Sequence, residues 1–203
     1  MVGIMKNIVF DLAGVVVARN EQRCPQYIMD YFYFINSGEQ LPGFWNDYDR
    51  GTREIDSVAE HLARFRNSSF ETAKSMMLQA VTYQEQVAPT ARLIEQLKAA
   101  GFKLYVLSNM SKEYIAYLRK MPVYSHFDGE IISCEVGLTK PEKEIYTLLL
   151  ERFNLDASQT MFIDDRLENV VAAESVGISG FHFNRNDAAA SCLSIAQSLG
   201  VKY

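Results

Sequence analysis

The chain of 203 residues has few cysteines and no cluster of basic residues. Its three cysteines, Cys24, Cys134 and Cys192, are odd in number and widely spaced, which argues against a disulfide framework and against a zinc site. The net charge is -5, and no Lys- and Arg-rich patch is visible, so we expect no nucleic-acid partner. A small anionic ligand remains compatible, because a local lysine and a metal ion outweigh a distant net charge.

Long apolar runs are also missing from the sequence. The existing runs fall well short of the roughly 20 residues that a membrane span requires. Residues 1–6 lack the apolar stretch and the cleavage site of a signal peptide. We therefore expect a cytoplasmic protein that has no membrane partner and exists as a monomer or weak homo-oligomer.

Three apolar segments have the pattern of buried parallel strands, and each is followed by side chains that carry oxygen. They are residues 7–10 before Asp11, residues 103–107 before Ser108 and Asn109, and residues 160–163 before Asp164 and Asp165. Sites on parallel sheets lie beyond the carboxyl ends of the strands. We therefore expect these side chains to converge at one edge of a sheet.

A lysine stands directly before a segment of helical periodicity. Pro141 opens residues 141–154 and is expected in the first turn of a helix, which places Lys140 at the mouth of that helix. A fixed cation beside clustered carboxylates suits an anionic substrate.

The remaining chain divides into two kinds of pattern. From residue 101 onward strands and helices alternate, as in a doubly wound parallel sheet. Further strands are predicted at 129–134 and 178–183, and helices at 89–100, 111–121 with Ser111 as its cap, 168–175 and 188–199. Residues 19–86 are instead aromatic, poor in β-branched runs and broken at Pro25, Pro42 and Gly51, which predicts several short helices inserted after the first strand.

Taken in order, the segments around Asp11, Ser108, Lys140 and Asp164 resemble the four motifs of the haloacid dehalogenase-like (HAD) hydrolases, over nearly the whole chain. The resemblance implies an α/β fold, with a Rossmann-like parallel sheet formed by residues 1–18 and 87–203. It also implies that residues 19–86 form an all-helical cap, of the type called C1, that closes over the site and excludes water. The alternative is a helical subdomain that only covers a sheet edge.

The resemblance implies a catalytic role for the motif residues. Asp11 is the nucleophile, which forms an aspartyl-phosphate. Ser108 hydrogen-bonds the phosphoryl oxygens, and Asn109 beside it is a further substrate-binding residue. Lys140 stabilises the nucleophile and the phosphoryl group as a point charge.

The resemblance also implies a Mg²⁺ site, because hard oxygen ligands around this ion offset the charge of an attack by one anion on another. The ligands are Asp11, the backbone oxygen of Ala13 and Asp165. Asp164 is either a further ligand through water or a residue that holds the ligands in place. Asn169 is either near this network or a helix residue that faces solvent.

The chain departs from the family pattern at Ala13, where most phosphatases of this family have a second Asp that acts as general acid and base. A positioned acid or base contributes about 10²- to 10⁴-fold to the rate. The favoured interpretation is a Mg²⁺-dependent phosphatase of a small phosphorylated metabolite, with a sugar phosphate as the first candidate, that works without this acid.

Three alternatives remain open. A catalytically impaired relative would bind a phosphorylated metabolite or a protein partner. A phosphonate-cleaving hydrolase would need a lysine in the cap, where residues 19–86 contain only Lys74. A dehalogenase would work without metal, which the pair Asp164 and Asp165 argues against.

An aromatic series and two arginines within residues 19–86 are expected to have structural roles. Tyr27, Tyr31 and Phe34 recur at helical spacing, which predicts a core position for them within the insertion. Arg50 and Arg53 flank a turn and are expected to form surface ion pairs, with contact to a substrate anion as the alternative.

Overall fold

The computed structural model describes residues 5–36 and 41–203. Residues 1–4 of the predicted core and residues 37–40 of the predicted insertion therefore lie outside the described part. The strands are β1 (Asn7–Phe10), β2 (Val17–Arg19), β3 (Gln84–Gln86), β4 (Lys103–Ser108), β5 (Gly129–Ile132), β6 (Thr160–Asp164) and β7 (Ser179–His182).

The α-helices of the described residues flank these strands. They are α1 (Gln26–Tyr31), α2 (Tyr33–Asn36), α3 (Gly43–Arg50), α4 (Ile55–Arg66), α5 (Phe70–Val81), α6 (Ala88–Ala99), α7 (Lys112–Leu118), α8 (Ser133–Val136), α9 (Lys143–Phe153), α10 (Leu167–Glu174) and α11 (Ala188–Ser198). Short 3-10 helices span Pro122–His126, Ala157–Gln159 and Arg185–Asp187. Across the described ranges, none of the helices has both the length and the apolar composition for crossing a bilayer.

Five parallel strands form the main sheet in the order β5-β4-β1-β6-β7. Strand β1 is central and fully buried, with Phe10 opposite Val106 of β4 and Ile163 of β6. Both neighbours of β1 are therefore buried strands whose carboxyl ends lie at the same edge. This arrangement confirms the predicted α/β fold class with a Rossmann-like parallel sheet.

Both faces of the sheet are covered, which explains why its strands read as continuous apolar runs. Alternate strand residues pack into two separate apolar clusters. Those on one face include Ile8, Phe10, Leu104, Val106 and Ile163, beneath α6, α7 and α11. Those on the other face include Val9, Tyr105, Leu107 and Phe162, beneath α9 and α10.

Helices α1 to α5 pack around an apolar cluster of their own, which includes Ile28, Phe32, Trp45 and Leu62. Tyr31 and Phe34 belong to this cluster, as predicted, but the prediction for Tyr27 was wrong because its side chain is exposed. The helical register does not continue through this region, since α1 ends at Tyr31 and α2 begins at Tyr33.

The chain enters and leaves this helical region through a short two-stranded ribbon. Strands β2 and β3 pair antiparallel, with Val17 opposite Gln86 and Arg19 opposite Gln84. The prediction of an exclusively helical stretch over residues 19–86 therefore missed its two ends, because three-residue strands carry too little periodicity to be recognised. The division into a core and a cap at residues 18 and 86 remains a prediction, and its boundaries fall within this ribbon.

Several predicted element boundaries differ from the structure. Helix α9 begins at Lys143, not at Pro141, because a turn closed by the Glu142 N–H and the Thr139 carbonyl precedes it. The strand predicted at 129–134 ends at Ile132, where α8 begins. Ser111 stands at the N-cap of α7, but its side chain makes no capping hydrogen bond.

Replacing Gly51 with alanine tests the contact between α3 and α8. Gly51 ends α3 in a left-handed conformation (φ 79°), and a Cβ there would overlap the backbone of Cys134. Gly101 has a similar conformation (φ 90°) with no atom near its Cβ position. We expect Gly101→Ala to lower the free energy of unfolding by about 1 kcal/mol, and Gly51→Ala by roughly 2 kcal/mol more, in urea titrations. Equal losses would contradict this contact.

Candidate active site

Three carboxylates meet at the carboxyl edge of the central strands. Asp11 follows β1, Asp164 ends the neighbouring strand β6, and Asp165 comes next. One oxygen atom from each lies within 4.8 Å of the others. Asp11 and Asp164 are buried, and Asp165 is half-buried. The predicted convergence of these residues is thus present, and it follows from the adjacency of β1 and β6.

Lys140 supplies the cation of this cluster. Its Nζ lies 2.8 Å from Asp11 Oδ1 and 2.6 Å from Asp164 Oδ2, and all three side chains are buried. Burial acts to lower the pKa of Lys140, but the charges of Asp11 and Asp164 outweigh it and raise that pKa above its usual value. The lysine is therefore held as a permanent cation.

The carboxylates carry more charge than one lysine can balance. Burial raises the pKa of Asp11 to about 6, against the opposing attraction of Lys140, and Asp164 and Asp165 raise it further. Burial and the charge of Asp164 also raise the pKa of Asp165. Because three clustered oxygen ligands with an excess of negative charge fit a hard divalent cation, the residues present suit Mg²⁺.

Ser108, at the end of β4, donates a hydrogen bond of 2.8 Å to Asp11 Oδ1. The same oxygen contacts Lys140. Among the described residues no side chain or N–H donates to the other oxygen, Oδ2. One Asp11 oxygen is therefore fixed in place, and the second is available to a ligand.

Asn109 holds the backbone of Lys140 with both ends of its amide. Its Nδ2 donates to the Lys140 carbonyl at 2.9 Å, and its Oδ1 accepts from the Lys140 N–H at 2.8 Å. The amide therefore positions Lys140. Contact between Asn109 and substrate remains a prediction, because Nδ2 has a second N–H that these bonds do not use.

Asp164 is surrounded by donors. It accepts hydrogen bonds from the Arg166 N–H (2.8 Å) and from Asn169 Nδ2 (3.1 and 3.0 Å), in addition to the contact with Lys140. Asn169 is buried, and its carbonyl accepts from the Tyr146 hydroxyl at 2.9 Å. Of the two interpretations of Asn169, the structure therefore supports membership of the network and not exposure to solvent.

The loop after Asp11 approaches Asp165 closely. Gly14 has a φ of 85°, and a Cβ at this position would overlap the Asp165 carboxylate. Ala13 is exposed and carries no acid or base into the site. Metal ligation by the backbone oxygen of Ala13 remains a prediction, which this close approach of the loop supports.

Arg185 also lies beside the carboxylate cluster, and the sequence analysis did not predict this. Its Nη1 lies 3.4 Å from Asp165 Oδ2, and the side chain is half exposed. Arg185 opposes the rise in the pKa of Asp165. The available signal was its position just after β7, the strand beside β6, at the same sheet edge.

Arg50 joins helix α3 to the loop that carries Lys140. Its guanidinium donates to the Gly137 carbonyl at 3.0 Å and to Thr139 Oγ1 at 2.9 Å, and it forms an ion pair with Glu142. Arg53, in contrast, pairs with Asp47 within the insertion at 2.7 Å. Both arginines thus form the expected ion pairs.

Several known proteins are similar to this chain in sequence. A family model described as haloacid dehalogenase-like hydrolase matches residues 5–177. The sesquiterpene phosphatase astK of Aspergillus oryzae is 29% identical over 96% of this chain and 97% of that protein. The phosphorylated carbohydrates phosphatase of Thermotoga maritima is 32% identical over 62% of this chain and 57% of that protein.

A solved structure has the same fold. The HAD family enzyme bt-2542 of Bacteroides thetaiotaomicron, in complex with magnesium and inorganic phosphate, aligns with a TM-score of 0.72. The alignment covers 89% of this chain and 95% of that one, at 22% sequence identity.

The charge excess at the site predicts how metal and mutation change stability. The pKa of Asp11 is raised from 3.8 to about 6, so the folded state loses stability as this group ionises between these values. In EDTA at pH 7.5 we expect Asp11→Asn to raise the free energy of unfolding by about 1–3 kcal/mol. Mg²⁺ should stabilise the wild type and have much less effect on Asp11→Asn.

Thermal unfolding with EDTA or Mg²⁺ measures both effects. The control is Asp56→Asn, which removes an exposed ion pair with Lys74 and should change stability by less than about 0.5 kcal/mol under either condition. A wild type that Mg²⁺ leaves unchanged would contradict the metal site.

Proposed function

Since the chain belongs to the haloacid dehalogenase-like hydrolases, we propose that this hydrolase is a Mg²⁺-dependent phosphatase that acts on small phosphate monoesters through Asp11. The observation that carries this proposal is the single buried cluster in which Ser108 and Lys140 contact the same oxygen of Asp11. A surface aspartate that merely caps a turn does not acquire two such partners from separate strands and loops.

Asp11 is the proposed nucleophile. Its Oδ1 is held by Ser108 and Lys140. Its Oδ2, to which none of the described residues donates, is the oxygen that attacks phosphorus. The attack forms an aspartyl-phosphate and releases the alcohol, and water then hydrolyses the aspartyl-phosphate. Ser108 and Lys140 lie beside the attacking carboxylate, where their donors reach the oxygens of the phosphoryl group.

The proposed metal ligands are Asp11, Asp165 and the backbone oxygen of Ala13, with Asp164 beside them. Bound Mg²⁺ would neutralise part of the charge on the carboxylates and on the phosphoryl group. Asp164 already accepts from three donors, so we assign it mainly to holding Lys140 and the α10 N-terminus in place. The bt-2542 enzyme, which has the same fold, is described in complex with magnesium and inorganic phosphate, and this supports a Mg²⁺ site in this chain.

The helical insertion, residues 19–86, is the proposed cap. It is tied to the core near the site by Arg50, by an ion pair between Glu54 and Lys112, and by a hydrogen bond from the Tyr48 hydroxyl to Glu113. Such contacts place its helix α3 beside the loop of Lys140. We propose that this cap excludes water and selects the substrate.

Two substrate classes have support. The T. maritima relative is named as a phosphatase of phosphorylated carbohydrates, which supports the sugar phosphates expected from the sequence. The A. oryzae relative is named as a sesquiterpene phosphatase and is similar over nearly its whole length, which supports a terpenyl phosphate as the second candidate. Both are small phosphorylated metabolites.

A phosphonate-cleaving hydrolase would require a cap lysine at the site, and the contacts of Lys74 do not support this role. Lys74 pairs with Asp56 at 2.6 Å and lies over the ring of Phe70, both within the insertion. A role limited to binding is disfavoured by the arrangement of Asp11, Ser108 and Lys140, which supplies a nucleophile together with donors for the phosphoryl oxygens.

Phosphate release tests the proposed function. We expect the wild type to hydrolyse at least one member of a panel of sugar phosphates, a farnesyl phosphate and acetyl phosphate when Mg²⁺ is present. EDTA should abolish turnover, because the carboxylates then repel the phosphoryl group. Asp11→Asn should abolish it as well, because an amide is not a competent nucleophile. Turnover that survives in Asp11→Asn would contradict the mechanism.

The role of Arg50 in positioning Lys140 is tested by a matched pair of variants. Arg50→Met removes the contacts to the Lys140 loop, and we expect kcat to fall by about 10- to 100-fold with a smaller change in KM. Arg53→Met removes an ion pair whose partner, Asp47, lies in the insertion, and kcat should stay within about twofold of the wild type. Equal losses of kcat in both variants would contradict this role.

A further inference from the structure

One carboxyl group at this sheet edge pairs with none of the described residues. Asp49, on helix α3 of the insertion, is half-buried, yet within residues 5–36 and 41–203 its side chain makes no hydrogen bond and no ion pair. An unpaired carboxyl surrounded by protein is costly to retain unless it contacts a ligand. The site also lacks an acid at Ala13, the position that follows the nucleophile by two residues.

The contacts around Asp49 place it at the sheet edge that also carries the reacting groups. Its backbone carbonyl accepts a hydrogen bond from Ser133, directly after β5, and the adjacent Gly51 packs against Cys134. The charge of Arg166, two residues after β6, lowers the pKa of Asp49. Asp49 therefore contacts the end of β5 and lies within electrostatic range of the end of β6.

The two strands between β5 and β6 are β4 and β1, which end at Ser108 and Asp11. Neighbouring strands are about 4.8 Å apart, so the interval from β5 to β6 is about 14 Å. Asp49 is thus on the insertion side of the edge that carries Asp11 and Ser108, which is the side that a phosphate monoester bound at Asp11 would occupy.

The surroundings of Asp49 suit proton transfer near neutral pH. Burial raises the pKa of Asp49 to about 7, and Arg166 on the α10 side opposes this rise. Tyr114 on α7 and Cys134 on α8 are the other titratable groups that face it, and Asp49 raises the pKa of both. Arg19 on β2 opposes the rise in the pKa of Tyr114. A general acid works best when its pKa lies near the working pH.

We propose that Asp49 is the catalytic acid and base of this enzyme and performs from the cap the role for which position 13 has no side chain. The inference rests on the proposed phosphatase function. As Asp11 attacks phosphorus and the P–O bond to the leaving group breaks, the Asp49 carboxyl donates its proton to the departing oxygen, which leaves as an alcohol.

In the second step the Asp49 carboxylate takes a proton from water. That water attacks the phosphorus of the aspartyl-phosphate, the bond to Asp11 breaks, and inorganic phosphate leaves. Asp11 is again a carboxylate and Asp49 again a carboxylic acid, so the cycle closes. Because Asp49 belongs to the insertion, the reaction needs the cap in its docked position.

The test compares Asp49→Asn with two kinds of substrate. An alkyl phosphate, the best sugar or terpenyl phosphate of the panel, needs a proton on its leaving oxygen, whereas p-nitrophenyl phosphate does not. We expect kcat/KM for the alkyl phosphate to fall by about 10²- to 10⁴-fold. With p-nitrophenyl phosphate we expect an intact burst of nitrophenolate, followed by slow turnover because the base for water is lost.

The pH profile gives a second readout. Wild-type kcat/KM for the alkyl phosphate should decline as the pH rises through the pKa of Asp49, because the acid must be protonated in the free enzyme. Asp49→Asn should lack this decline. Asp49→Glu, which keeps the acid, should recover part of the alkyl phosphate turnover.

The matched control is Asp47→Asn, which alters a carboxylate on the same helix that already pairs with Arg53. It should retain the alkyl phosphate activity and its pH profile. Thermal unfolding should show Asp49→Asn at least as stable as the wild type, because the substitution removes a half-buried carboxyl that none of the described residues pairs with.

The outcomes separate this inference from the proposed function. If Asp11→Asn is inactive while Asp49→Asn turns over the alkyl phosphate like the wild type, the role of Asp49 is overturned and the phosphatase stands. Equal losses of Asp49→Asn on both substrates, with no burst, also overturn an acid role. A wild type that releases phosphate from neither substrate overturns both proposals.

Discussion

The buried ion cluster of Lys140 with Asp11 and Asp164 is the interaction on which the rest of the site depends. Its side chains are almost without solvent contact, so the two buried carboxylates depend on the charge of Lys140. Removing Lys140 would leave both of them uncompensated in the interior. The cluster therefore fixes the relative positions of β1, β6 and the loop before α9, and it retains an excess of negative charge that suits a divalent cation.

Much of the surrounding structure serves to hold this cluster in place. Asn109, in the core, forms hydrogen bonds with the Lys140 backbone, and Arg50, in the insertion, donates a hydrogen bond to Thr139 in the same loop. Asn169 holds Asp164 from the opposite side. Three separate parts of the chain thus orient the reacting groups, which is the kind of support that a preorganised electrostatic site requires.

The insertion also brings two charged side chains to the sheet edge that carries the site. Its helix α3 ends against α8, and one turn of that helix carries both Arg50, which contacts the Lys140 loop, and Asp49, whose side chain pairs with none of the described residues. Ala13 supplies no acid, and Asp49 supplies one at the same sheet edge. The proposed role of Asp49 would link catalysis to the docked position of the insertion.

The sequence by itself determined the α/β fold class, the buried strands and the convergence of Asp11, Ser108 and Asp164, because apolar runs on a parallel sheet bring their carboxyl ends to one edge. Only the tertiary structure decided what Asn109 contacts and which groups face Asp49. These contacts join residues that are distant in the chain. The sequence pattern around a residue reflects its neighbours along the chain, so it does not predict how the insertion packs on the core or which distant group a polar side chain contacts.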